Sequence, residues 1–287
     1  MLLARLFHFL SHRSLATLHR FGAVAGWLTY CLSPKYRRRL KGNLAQAFGG
    51  SVPEGVVPAA VRGAGEQAME LPWVWLRSPS EVIDTVKVSG WELVEEARAN
   101  RRGILFLTPH LGCFEISAQF YGSRYPITVL YRPPKRAELQ PLIEAGRGSR
   151  PGMRLAPADL AGVRRLIKAL RAGEAVGMLP DQVPGNGEGV WAPFFGRTAY
   201  SMTLAARLSE VSGTVVIMAW AERLPRGAGY HLWLSAPESP LEGDTETRVA
   251  AINREMERLI RRKPEQYLWG YNRYKAPKGA ARPESQS

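Results

Sequence analysis

The sequence predicts an α/β protein with a mostly parallel central sheet flanked by helices and preceded by a helical segment that meets the membrane. Three observations carry this. Short apolar runs alternate with amphipathic stretches from about residue 79 onward, as in a parallel sheet with crossover helices. The first 32 residues are apolar but broken by Arg5, His8, His12, Arg13, His19 and Arg20. A basic cluster, Lys35 to Lys41, follows at once.

The N-terminal segment comes first. Its cleanest apolar run, Phe21 to Leu32, falls short of the roughly 20 residues that a spanning helix needs. An apolar helix next to a basic cluster reads as lying in or dipping into the bilayer, held to anionic headgroups on the cytoplasmic side. A full span is the second version of this reading, and an ordinary first helix packed on the core is the plain alternative. Residues 34–48 read as a helix started by Pro34 and stopped by Gly49-Gly50. Residues 54–77 read as another, ending near Trp73 and Trp75.

Strands are expected at Val82–Val88, Ile104–Thr108, Ile127–Tyr131, Ala175–Leu179, Thr214–Ala219 and His231–Leu234. Helices are expected at Glu92–Ala99, Cys113–Tyr121, Ala137–Arg147, Leu160–Arg171, Tyr200–Val211 and Thr245–Arg262. The chain thus divides into 1–32, a membrane-anchoring helix; 33–78, a helical membrane-proximal segment; 79–275, the α/β domain; and 276–287, a loose tail.

Composition narrows the function. The net charge of +14 favours phosphate-bearing or acidic partners without choosing among them. The basic residues are dispersed and no base-stacking aromatic motif is present, so a nucleic-acid partner is not expected. Cys31 and Cys113 form no disulfide framework, and the five histidines form no metal box. No cofactor is implied. The chain has no GxSxG elbow and no P-loop, which removes serine hydrolases and NTPases.

The chemistry concentrates in Gly103-Ile-Leu-Phe-Leu-Thr108-Pro109-His110-Leu-Gly112-Cys113-Phe114-Glu115, a buried strand, a break at Pro109 and a helix start. On one continuous helix His110 and Glu115 would lie roughly 140° apart. With His110 in the turn and Glu115 in the first helical turn, the carboxylate can reach back to the imidazole and leave its other nitrogen free as a base. By spacing alone a capping histidine and a first-turn glutamate are the readier explanation of the pair.

The wider context resembles a known family. The His110…Glu115 block after its strand is similar to the H-x4-D/E block of the glycerolipid acyltransferase superfamily, and most like the late acyltransferases of lipid A biosynthesis, the lauroyl/myristoyl type. Arg38-Arg39-Leu-Lys-Gly-Asn43-Leu-Ala-Gln-Ala-Phe48, Val129-Leu-Tyr-Arg132-Pro, Met178-Leu-Pro180-Asp181-Gln182, Gly189-Val-Trp-Ala-Pro193-Phe-Phe-Gly196 and Pro264-Glu265-Gln266-Tyr267-Leu-Trp269 through Lys275 resemble further blocks in the family's order. Cys113-Phe114 stands where the family usually has Asn-Trp.

The resemblance implies acyl transfer from an acyl carrier protein thioester to a hydroxyl of a phosphorylated glycolipid, a lipid A precursor, at the cytoplasmic face of the inner membrane. His110 would be the base and Glu115 its orienting carboxylate, with backbone N–H groups near Gly112 and Cys113 facing the developing oxyanion. Arg132, Arg147, Asp181 and Gln182 would bind substrate, the arginines through phosphate. Cys113 reads as a small packed residue. Trp191, Phe194 and Phe195 would line an acyl pocket or pack the core. A lysophospholipid or another glycolipid is the alternative acceptor. A non-catalytic basic protein that binds membrane or RNA is the alternative class.

Overall fold

Five-residue apolar runs become strands and amphipathic stretches become helices, in strict alternation through the middle of the chain. The computed structural model describes residues 2–132, 140–148, 150 and 152–281. Helices α1 (Leu2–Ser11), α2 (Leu15–Leu32), α3 (Pro34–Ala47), α4 (Val56–Leu76) and α5 (Pro79–Ile83) precede β1 (Val86–Ser89). Next come α6 (Glu92–Ala99), β2 (Gly103–Leu107), α7 (Phe114–Gly122), β3 (Ile127–Tyr131), α8 (Gln140–Gly148), β4 (Met153–Pro157), α9 (Leu160–Arg171) and β5 (Ala175–Met178). The hairpin β6 (Gly189–Phe194) and β7 (Arg197–Met202), then α10 (Leu204–Ser209), β8 (Thr214–Arg223), β9 (Tyr230–Ser235) and α11 (Thr245–Arg262), complete it.

The main sheet runs β1-β9-β8-β2-β5-β3-β4, and its pairs are parallel except β8 with β9. Strands β2 and β5 are buried along their whole length, which fits central strands covered on both faces by helices. Alternation sorts β2 between two cores. Leu105 and Leu107 join the cluster containing Leu40, Leu44 and Ile260, from α3 and α11. Ile104 and Phe106 join the one containing Leu18, Val74 and Ile116, from α2, α4 and α7.

Four local expectations change. The N-terminal segment is two helices, because Ser14 caps the start of α2 by accepting from Thr17 N. No helix among the described residues is long and apolar enough to cross a membrane. The strand expected at Val82–Val88 is shortened, since a Ser78–Glu81 capping box commits Pro79–Ile83 to a helix. The helix expected from Tyr200 loses its start to β7. Phe195 and Gly196, both at positive φ, make the tight turn that pairs β6 with β7. Strands β4 and β6 were not anticipated.

Candidate active site

Two tripeptides leave neighbouring parallel strands at the same level. Leu107 of β2 is registered against Met178 of β5, and Thr108 N donates to Met178 O at 3.1 Å. Proline follows on each strand, Pro109 and Pro180. Lacking an N–H, each ends the ladder. The next residues are His110 and Asp181.

They meet. The His110 backbone N–H donates to Asp181 Oδ2 at 2.9 Å, and Nδ1 lies 2.7 Å from Oδ1. The Asp181 side chain is 1% exposed and that of His110 is 17% exposed. Burial alone would push the Asp181 carboxyl up. The attraction and hydrogen bonds of His110, helped by the Tyr267 hydroxyl, outweigh that and hold it below the usual carboxylate range. An ionised Asp181 fixes the proton on Nδ1, and Nε2 is left with a lone pair. The Gln182 side-chain amide donates to that Nε2 at 3.0 Å.

The turn carrying His110 is tied from three sides. Leu268 N donates to His110 O at 3.2 Å, and Gln67 Nε2 of α4 donates to Gly112 O at 3.1 Å. Gly112 N donates to Gln266 O at 3.1 Å and Cys113 N to Ala221 O at 2.9 Å. Gly112 has φ +59, and a Cβ there would collide with the Ala221 carbonyl oxygen. The expectation that the Gly112 and Cys113 N–H groups face an oxyanion is therefore corrected: both are already bonded to carbonyls.

The partner of His110 also differs from expectation. Glu115 does lie in the first turn of α7, but its carboxylate is turned to Arg147 of α8. Arg147 Nε lies 3.1 and 3.0 Å from the two oxygens, and Nη2 bonds one of them. The His110 ring is turned toward Asp181 instead, with Phe114 packed at 4.9 Å between ring centroids. Burial works against the Arg147 charge, but Glu115 more than restores it. Its guanidinium lies 5.9 Å from the Trp75 and Tyr131 ring centroids.

Two other expected substrate contacts resolve differently. Asp181 is sealed under His110, so it acts on the imidazole and not on a ligand. Arg132 is exposed and makes an ion pair of 3.4 Å with the exposed Glu188. Cys113 is buried and its thiol is pushed well up by that burial, consistent with a packing role. Phe194 and Phe195 are core residues. Asn43 and Arg273 serve the backbone, Asn43 donating to Trp269 O and Tyr271 O and Arg273 to Tyr200 O.

Sequence reasoning missed a second buried cluster behind the turn. Glu70 of α4 is fully buried and accepts from Arg223 Nε and Nη2 at 2.9 and 2.7 Å, and from the Tyr230 hydroxyl at 3.1 Å. His19 Nε2 of α2 lies 3.3 Å away. Burial alone would push Glu70 up; Arg223 and His19 bring it down to about 2. The signal was present: Glu70 stands between Met69 and Leu71 in a mostly apolar helix, and a carboxylate placed there must find a partner.

Comparisons with known proteins give the family. The family model "Bacterial lipid A biosynthesis acyltransferase" matches residues 4–276. The chain is 33% identical over 218 residues to an Escherichia coli K12 lipid A biosynthesis lauroyltransferase, covering 75% of this chain and 70% of that one. It is 28% identical over 225 residues to a lipid A biosynthesis palmitoleoyltransferase of the same strain, covering 77% and 72%. It is 25% identical over 259 residues to that strain's lipid A biosynthesis myristoyltransferase, covering 88% and 78%.

Proposed function

The chain belongs to the bacterial lipid A biosynthesis acyltransferase family and is an acyltransferase, and from that premise we propose that it moves a fatty acyl group from an acyl carrier protein thioester to a hydroxyl of a phosphorylated lipid A precursor, at the cytoplasmic face of the inner membrane. The observation that carries the mechanism is the buried, ionised Asp181 on Nδ1 of His110, which leaves Nε2 as the base.

The acceptor hydroxyl displaces the Gln182 amide at Nε2 and gives up its proton there as its oxygen attacks the thioester carbonyl carbon. Asp181 stabilises the imidazolium that forms. The Gln182 amide, freed beside the reacting nitrogen, is a donor for the charge developing on the carbonyl oxygen. Collapse breaks the carbon–sulfur bond, and His110 returns the proton to the departing thiolate. Glu115 and Arg147 act as one unit that fixes α8 against α7 beside the site. Arg132, at the rim, meets phosphate of the lipid head or of the carrier's prosthetic arm.

The test is incubation of the purified protein with a defined acyl carrier protein thioester and a lipid A precursor, followed by mass analysis of the lipid. The acceptor should gain one acyl chain, and His110→Ala should abolish the gain while leaving the fold intact. Acylation undiminished in His110→Ala would overturn the mechanism.

A further inference from the structure

Strands β2 and β8 are in register as far as Leu107 with Met218. Beyond that rung they part, because Pro109 ends the ladder and the chain turns off toward His110. The rest of β8 still carries buried backbone groups, and these need partners. Ala221 O accepts from Cys113 N at 2.9 Å. At Arg223, two residues on, a side chain takes over. Arg223 N donates to Gln266 Oε1 and Gln266 Nε2 donates to Arg223 O, both at 2.9 Å. This is the two-bond exchange of a hydrogen-bonded antiparallel pair, made by a side-chain amide in place of a strand residue.

The backbone of the same glutamine holds the turn. Gly112 N donates to Gln266 O at 3.1 Å. The adjoining Leu111 and Tyr267 form an antiparallel bridge, and Leu268 N donates to His110 O at 3.2 Å. Gln266 is thus bonded through its main chain to the His110 turn and through its amide to the end of β8.

These bonds close on themselves. Arg223 Nε and Nη2 donate to Glu70, with the guanidinium side chain 2% exposed and the carboxylate 0%. Gln67 stands three residues before Glu70 on α4, on the same side of that helix, and donates to Gly112 O at 3.1 Å. The path from the Gly112 N–H runs through Gln266, Arg223, Glu70 and Gln67 and returns to the Gly112 carbonyl. It holds both polar groups of a residue at φ +59, two positions after His110.

We propose that Gln266 is a positioning residue for acyl transfer. Its amide ties the His110 turn to the end of β8 and so sets the imidazole against Asp181, acting through the turn and not on substrate. This rests on the reading of His110 as the base. The Nδ1–Oδ1 contact is 2.7 Å, and a misplacement of about 1 Å in such a group costs up to roughly a hundredfold in rate.

The test is single-turnover acyl transfer by the full-length protein in detergent, comparing native enzyme, Gln266→Leu and Gln266→Glu. Leucine removes both amide bonds. The single-turnover rate constant at saturating substrates should fall roughly tenfold to a hundredfold, with KM for donor and acceptor within about threefold of native. Glutamate keeps the size and the acceptor for Arg223 N, so Gln266→Glu should fall less, and it carries the test if Gln266→Leu does not fold. A residue that only stabilises the fold would lower the amplitude, the fraction of enzyme that turns over, and leave the rate constant native. That result overturns the proposal.

A double-mutant cycle fixes the route of the effect. If Gln266 acts through the His110–Asp181 contact, Asp181→Asn/Gln266→Leu should lose little more than Asp181→Asn alone. Losses that multiply overturn the proposal. An Asp181→Asn enzyme that keeps the native rate overturns instead the catalytic reading on which it rests, so the two failures are told apart.

Discussion

Replacing Asp181 by asparagine isolates the role of its charge. Asparagine keeps the shape and can still accept from the His110 backbone N–H, which is 2.9 Å from Oδ2. It brings no negative charge against Nδ1, and its amide can donate there. The ring is then free to carry its proton on Nε2, and the base is lost. In a Ser-His-Asp triad the same substitution lowers turnover by about 10⁴, and each decade is about 1.36 kcal/mol of barrier. Here the imidazolium sits beside a carboxylate that is 1% exposed, so a loss of ~10³–10⁴ in turnover, ~4–5.5 kcal/mol, is expected. The assay is single-turnover acyl transfer in detergent, with thermal unfolding measured alongside to show an intact fold. An Asp181→Asn enzyme within tenfold of native, beside a Glu115→Gln enzyme reduced about a thousandfold, would refute this reasoning and return the orienting role to Glu115.

Other perturbations follow from the same contacts. Removing Arg147 leaves the buried Glu115 uncompensated, so Arg147→Ala should destabilise by about 3 kcal/mol, and Glu115→Leu/Arg147→Met should recover much of it in denaturant titrations. Glu70 is held near 2 against an ordinary value of 4.5. Its stabilising contribution is thus complete above that ordinary value and lost as pH falls toward 2, a loss of slope that Glu70→Gln should show in acid unfolding. Gly112→Ala should cost more than about 3 kcal/mol and abolish activity, because strain and collision with Ala221 combine. Gly196→Ala, at positive φ in open space, should cost only about 1 kcal/mol, and Gly42→Ala, in open space on α3, should gain ~0.5–1 kcal/mol in thermal unfolding.

Elements with strong local signals were legible in the sequence. Helices α9 and α11 carry amphipathic periodicity and begin at Asp159 and Asp244, whose side chains accept from Gly162 N and Thr247 N. Their bounds match the expected ones, as do those of α6 and β3. Strand β4 escaped because Met153-Arg-Leu-Ala-Pro157 has too little alternation to stand out; its place at the sheet edge comes from pairing with β3. At the site, His110 was legible and its partner was not. Glu115 is close in sequence and drew the eye, whereas Asp181 comes from another strand. The parallel pattern Thr-Pro-His and Leu-Pro-Asp after two apolar runs was the available clue, but it becomes decisive only when β2 and β5 are known to be neighbours.

The His110–Asp181 pair joins residues 71 apart, and it exists only because β5 inserts between β2 and the earlier-made β3. Closing so long a loop must precede any gain from the contact, and such non-local pairing slows folding. Recovery of catalysis after dilution from denaturant should therefore lag behind recovery of helical ellipticity, since α9 and α11 can form from neighbouring residues alone. During synthesis, the chain acquires His110 long before it acquires the strand that delivers Asp181 to it.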